Sequence, residues 1–306
     1  MERKKLEMSY DKKRLIFYCL VMFIPIVQVC IFYFYINFRS FGLGFFEYET
    51  LNGQYSFVGF KNFIQIFADF KEKAYMVNSI LNALELFVYM FVFGSVFAVL
   101  FSYYIFKKHP LSGAFKIILY APQIISGMVF VIMYKFFVTS AVPELWKLIF
   151  GVKIEGLLDN PLTLKPTIIF FNVWISFGTQ VLIYSSSMSS ISDSIIESGQ
   201  LDGASPFREL VSIVIPSIWP TFVTFMLLRV VSLFTDQMSL YSFFGGSADY
   251  SLYTFGYLLF KDTAEAEGYL SKYPYLSAFG LLLTFIAVPL TLLVKWLLEK
   301  FGPKVD

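Results

Sequence analysis

Six stretches of the chain are apolar for long enough to cross a bilayer, near residues 15–38, 80–106, 115–139, 166–188, 210–233 and 275–298. A helix needs about 20 residues to do so. Inside lipid no water is at hand for backbone N–H and C=O groups, so a span must satisfy its own. The runs are continuous, without the alternation of a membrane barrel, and this predicts helices. Composition agrees: 57% of the 306 residues are hydrophobic, 38 are Phe, and 15% are charged, against about 25% in a soluble domain. One soluble core cannot hide that much apolar surface. The fold class read from these facts is an all-α polytopic membrane protein with six transmembrane helices. Lys12, Lys13 and Arg14 precede the first stretch, as in a secretory signal. Its apolar run is too long for a signal core and no small-residue cleavage site follows, so it is read as a retained helix.

Lys and Arg orient the spans. The side holding the N-terminus carries thirteen of them (Arg3, Lys4, Lys5, Lys12, Lys13, Arg14, Lys107, Lys108, Lys116, Arg208, Lys295, Lys300 and Lys304). The other side carries nine over much longer loops (Arg39, Lys61, Lys71, Lys73, Lys147, Lys153, Lys165, Lys261 and Lys272). The positive-inside rule then makes both termini cytoplasmic. A cytoplasmic segment at 1–14 leads into a membrane domain over 15–300, and 301–306 form a cytoplasmic tail. The outer loops at 39–79, 140–165 and 234–274 are long enough to hold short amphipathic helices of their own.

Much chemistry is missing. No GxxxxGK[ST] loop, HExxH, CxxC or GxSxG occurs, so the chain itself should neither hydrolyse ATP nor act as an enzyme. A single His, His109, excludes a histidine metal cluster and reads as a solvated loop residue. Cys19 and Cys30 lie on one helix, roughly 16 Å apart, too far to bridge.

The informative segment runs from Ile191 to Pro216, between the fourth and fifth spans. It reads as a short helix and a sharp break. Ser192 or Asp193 can cap the start, and Ile191, Ile195 and Ile196 form an apolar edge. Gly203 ends the helix because it accepts φ > 0. Ser205-Pro206 opens the next element. Pro216 cannot complete the helical ladder and offers a bend between loop and span. On pattern alone, this is also what an amphipathic connector on the membrane surface would look like.

The spacing of this segment resembles the EAA loop of binding-protein-dependent ABC importer permeases, E-A-A-x-x-x-G, nine residues, then I-x-L-P. Glu197, Gly203, Ile213 and Pro216 fall in register, and Asp202-Gly203-Ala204 matches the usual D-G-A. Ser198 and Gly199 replace the two alanines but stay small; Ile215 replaces Leu, and Ser192 stands where Pro is common. Val58-Gly59-Phe60-Lys61-Asn62-Phe63 resembles the V-G-x-x-N-F segment of sugar permeases. Gly245-Gly246, Thr254, Tyr257 and Phe260 resemble their stretch before the last span, with its Pro missing.

The resemblance is to the MalF-like permeases of carbohydrate importers. It implies a type I ABC importer permease fold in the inner membrane of a prokaryote. It also implies a second, MalG-like permease, two ATPase subunits and an extracytoplasmic solute-binding protein. ATP and Mg would sit on the ATPase, with no cofactor in this chain. The 189–209 loop would dock on the ATPase through Glu197, Ser198, Gly199, Asp202, Gly203 and Ala204, with Pro216 as its bend. Nothing points to nucleic acid.

A solute path should show as polar stripes on apolar helices. Span four carries Asn172, Ser176 and Thr179 on one face, with Gln180 beside them; span five carries Arg229, Ser232 and Asp236. Tyr241 and Trp174 are aromatics that can stack on a sugar ring. Helix–helix hydrogen bonding explains the stripes equally well. Arg229 keeps its charge and must face protein or water; Glu85, Asp236 or an acidic sugar are its candidate partners. The competing function is an ion-coupled secondary transporter, which should show inverted repeats; none is visible.

Overall fold

The computed structural model describes residues 2–267 and 269–303; residues 304–306 of the expected tail lie outside the described residues. Among the described residues six helices are long and apolar enough to cross a membrane: Lys12–Leu43, Ala74–Phe106, Gly127–Phe150, Pro161–Ser189, Pro206–Thr235 and Tyr273–Phe301. They are numbered spans one to six below. The chain divides into two compact units, one of Met1–Ala68 with Ala266–Leu282, the other of Asp69–Glu265 with Leu283–Asp306.

In the first unit, span one exposes its large apolar side chains from Leu15 to Phe38, with Gln28 and Asn37 the polar residues among them. After it comes a hairpin, Phe46–Glu49 against Gln54–Phe57, with Phe46 opposite Phe57 and Tyr48 opposite Tyr55. The short helix expected in this loop follows the hairpin, at Lys61–Glu72; the hairpin itself was not expected. Aromatic residues at alternate positions and Gly53 at φ +64° supply a strand pattern and its turn. The V-G-x-x-N-F segment locks the hairpin: Asn62 donates to Gly44 O at 2.9 Å and Phe46 O at 2.8 Å. Phe63, now buried, packs at a tilt against Phe45.

In the second unit, spans two and four pack along their length. Ala98, Val99 and Ile105 meet Val181, Tyr184 and Met188 in one core that also takes in Ile196, Leu210, Val214 and Ile218. Span three differs from the expected 115–139. The helix Ser112–Ile124 ends at an extended Ile125 and Ser126, and the membrane-length helix begins at Gly127. Pro122, which lacks an N–H, and Gly127, a weak helix former, bracket the break. The first piece lies against span four: a Cβ on Gly178 would collide with the carbonyl of Leu119, and Gln123 donates to Ile175 O at 3.0 Å. Span four starts at Pro161, five residues before the expected 166, because Asn160 caps it through Leu162 N at 2.9 Å.

The loop before span six is held by the residues of its sugar-permease-like stretch. Tyr257, fully buried, donates to Gly245 O at 2.9 Å and accepts from Ala248 N at 3.2 Å. Thr254 donates to Asp236 O at 2.7 Å. Asn82 of span two donates to Ser251 O and Tyr253 O at 2.7 and 2.9 Å.

Candidate functional site

The connection from span four to span five folds as a helix over Asp193–Leu201. Ser192 stands at the N-cap position, yet its hydroxyl pairs with Ser194 at 2.7 Å and makes no capping bond. The expected Ile191–Ile195–Ile196 edge is narrower than predicted: Ile196 enters the core, while Ile195 is 50% exposed. The helix seats itself through Ile196, Gly199 and Gln200. Gly199 is small for a reason, since a Cβ there would run into Cδ1 of Ile213. Two positions of the motif thus form one packed contact.

The end of the helix is a Schellman turn. Gly203, at φ +77°, donates to Gln200 O at 3.0 Å, and Ala204 donates to Gly199 O at 3.0 Å. The face turned away from the core exposes Glu197, Ser198, Leu201, Asp202 and Phe207. Among the described residues the Glu197 and Asp202 side chains make no hydrogen bond or ion pair. Pro216 does not break the backbone. Helix runs from Pro206 to Thr235 with a π-helical stretch at Leu210–Val214 just ahead of the proline. A wider turn accommodates a residue without an N–H, and Ser217 closes on Ile213 O at 2.7 Å.

One residue escaped the sequence reading. Glu209, 2% exposed, pairs with Lys107 at 2.8 Å, while Gln200 donates to it at 3.0 Å and the Tyr103 hydroxyl lies 3.0 Å away. The available signal was a fourth carboxylate, after Asp193, Glu197 and Asp202, in a loop whose one basic residue is Arg208.

The polar stripes of spans four and five meet a third element, span two. Arg229, 9% exposed, donates to Ser176. Gln180, in the amide orientation that its neighbours require, accepts from Arg229 and donates to Gly94 O. The guanidinium rests where a side chain on Gly94 would stand, 2.8 Å from its virtual Cβ. The hydroxyls of Ser95 and Tyr184 are buried beside this cluster. Glu85, one expected partner of Arg229, pairs with Lys165 instead, across from span four's first turn. Asp236, the other expected partner, forms no ion pair with Arg229 among the described residues; its carboxylate accepts from Met238 N at 2.7 Å.

Asn172 is fully engaged. It donates to Met238 O at 3.0 Å and accepts from Ser239 at 3.0 Å. Ser232 bonds back to Arg229 O within its own helix, and Tyr241 packs edge-on against Phe260. Thr179 is half-buried. A groove of about 410 Å³ lies beside Trp174, lined by Phe130, Met133, Tyr134, Phe137 and Phe170; it is apolar and apart from the stripes.

Comparison with known proteins decides what this arrangement belongs to. Residues 15–306 match the family described as the binding-protein-dependent transport system inner membrane component. The chain belongs to this family. It is a multi-pass membrane protein, a transmembrane permease subunit of an ABC importer. Among relatives of this permease, the probable ABC transporter permease protein YurN of Bacillus subtilis is 22% identical over 81% of the chain and 86% of its own length. The glucose import system permease protein GlcT of Saccharolobus solfataricus is 24% identical over 83% and 89%. A chain in the crystal structure of a bacterial ABC transporter involved in import of the acidic polysaccharide alginate superposes with a TM-score of 0.77. It covers 97% of the permease and 99% of that chain at 19% identity, and this likeness establishes the fold.

Proposed function

We propose that this permease moves a sugar or oligosaccharide into the cytoplasm, driven by ATP hydrolysis on separate ATPase subunits. The exposed face of the Asp193–Leu201 helix carries the reading. One side of that helix is anchored in the core by Ile196 and Gly199, and the other presents Glu197, Ser198, Asp202 and Leu201 with no side-chain hydrogen bond or ion pair among the described residues. A short helix so braced transmits displacement where a flexible loop would absorb it. The Lys/Arg bias places it on the cytoplasmic side.

A second, MalG-like permease completes the path, two ATPase subunits bind ATP and Mg, and an extracytoplasmic binding protein delivers the solute. The sugar assignment is supported by relatives such as the glucose permease. The solute passes along the Asn172, Ser176, Thr179, Arg229, Ser232 and Asp236 stripes, with Tyr241 at their outer end. In the present conformation Asn172 is held by Met238 and Ser239 and Ser176 by Arg229, so the path opens by a rigid rock of spans against the partner permease.

Co-purification tests this. The permease should bring down a second permease and a polypeptide bearing a phosphate loop. Candidate sugars with the binding protein should raise ATP hydrolysis several-fold in the reconstituted complex. Uptake that follows an ion gradient and ignores ATP would overturn it.

A further inference from the structure

Glu209 lies in the first turn of span five, yet its side chain is almost wholly buried. A carboxylate leaves water only where partners replace its hydration. Here they come from two elements. From the end of span two, Lys107 reaches both oxygens at 2.8 and 3.1 Å. The Tyr103 hydroxyl sits 3.0 Å from Glu209 Oε1 and 3.0 Å from Pro206 O. From the last turn of the loop helix, Gln200 donates to Oε2 at 3.0 Å. Spans four and five are joined to the loop by the chain itself; span two is not.

We propose that Glu209 is a positioning residue that clasps the Asp193–Leu201 helix to the end of span two. Displacement of the loop then moves span two together with spans four and five. The apolar contacts of Ile105, Ile196 and Leu210 hold the same elements together, but they are non-directional and permit sliding. The carboxylate, addressed by charged and neutral donors at fixed angles, does not. Span two also carries Gly94, the seat of Arg229, so the clasp links the loop to the polar cluster. This rests on the coupling reading of the loop.

The clasp can be measured in the permease alone. With Cys19 and Cys30 replaced by serine, spin labels are placed at S198C and K108C, both exposed, and the protein is held in lipid nanodiscs. The parent should give one narrow distance distribution. E209Q should widen it at least twofold. The neutral pair K107Q/E209Q, which leaves no buried charge unpaired, should also widen it, and the swapped pair K107E/E209K should narrow it again. In the assembled importer, E209Q should lower uptake per ATP hydrolysed at least threefold while the ATPase still binds. An unchanged distribution in E209Q and K107Q/E209Q overturns the clasp. A widened distribution with unchanged uptake per ATP overturns its part in coupling. Parent protein without ATP-driven uptake defeats the importer reading and leaves the distance result standing.

Discussion

Two glycines four residues apart in the loop are constrained by different physics. Gly203 needs its backbone angle: at φ +77° it closes the Schellman turn, and no neighbouring atom would crowd a Cβ there. Gly199 needs its size, because Ile213 lies over it. A β-branched residue held in the left-handed region costs about 1–3 kcal/mol. An alanine at 199 asks only that the end of a flexible isoleucine turn aside. G203V should therefore lower the thermal midpoint of the purified permease and abolish sugar-stimulated ATP hydrolysis in the complex, while G199A should be mild in both. Equal effects would mean that the turn is not what fixes the loop. Gly203 was legible in the sequence because a helix stop has one common solution. Glu209 was not: only the approach of Lys107 and Tyr103, about a hundred positions away along the chain, turns an ordinary loop carboxylate into a buried one.

Span four shows how one stripe on a helix divides between packing and transport. Asn172 is tied to Met238 and Ser239, and Ser176 to Arg229, so this part of the stripe holds span four to span five and to the turn that follows it. N172L would strip partners from Met238 O and the Ser239 hydroxyl, at about 1–3 kcal/mol for each buried group left unsatisfied. It should reduce the amount of folded permease recovered from membranes. Thr179 carries no such load, so T179L should leave the fold and basal ATP hydrolysis of the complex intact and raise the sugar concentration needed for half-maximal uptake about five- to a hundredfold. That range is the same energy expressed as affinity. Uptake by T179L identical to the parent would remove Thr179 from the path. The periodicity of apolar residues made span four readable as a helix, and the stripe readable as one face. It could not reveal that Gly94 of span two opens the space for Arg229, nor that span three breaks at Ile125 and Ser126. The first depends on which helix lies alongside, of which hydropathy carries no record; the second follows from Pro122 and Gly127, which an apolar average passes over.

At the scale of the whole molecule, six spans and their family were legible because lipid leaves the backbone few choices and the loop motif has fixed spacing. Short structures outside the spans, such as the Phe46–Glu49 hairpin, were not, since loop segments answer to local side-chain contacts that a hydropathy profile averages away. The orientation rests on charge alone: thirteen Lys and Arg on one side against nine over longer loops on the other. It is also what the coupling proposal requires, because an ATPase fed from the cytoplasm can only meet a loop that faces it. Two exposed positions separate the sides. Ser194 lies on the loop helix and Gln54 begins the second strand of the hairpin. In a background lacking Cys19 and Cys30, which are free thiols, S194C and Q54C are expected to react oppositely with a membrane-impermeant maleimide on intact cells. Q54C should label at once, and S194C only after the membrane is opened. Both positions are exposed, so the contrast reports sidedness rather than access. Labelling of S194C from outside would invert the topology, and the Asp193–Leu201 helix could then not be the point at which ATP hydrolysis reaches the spans.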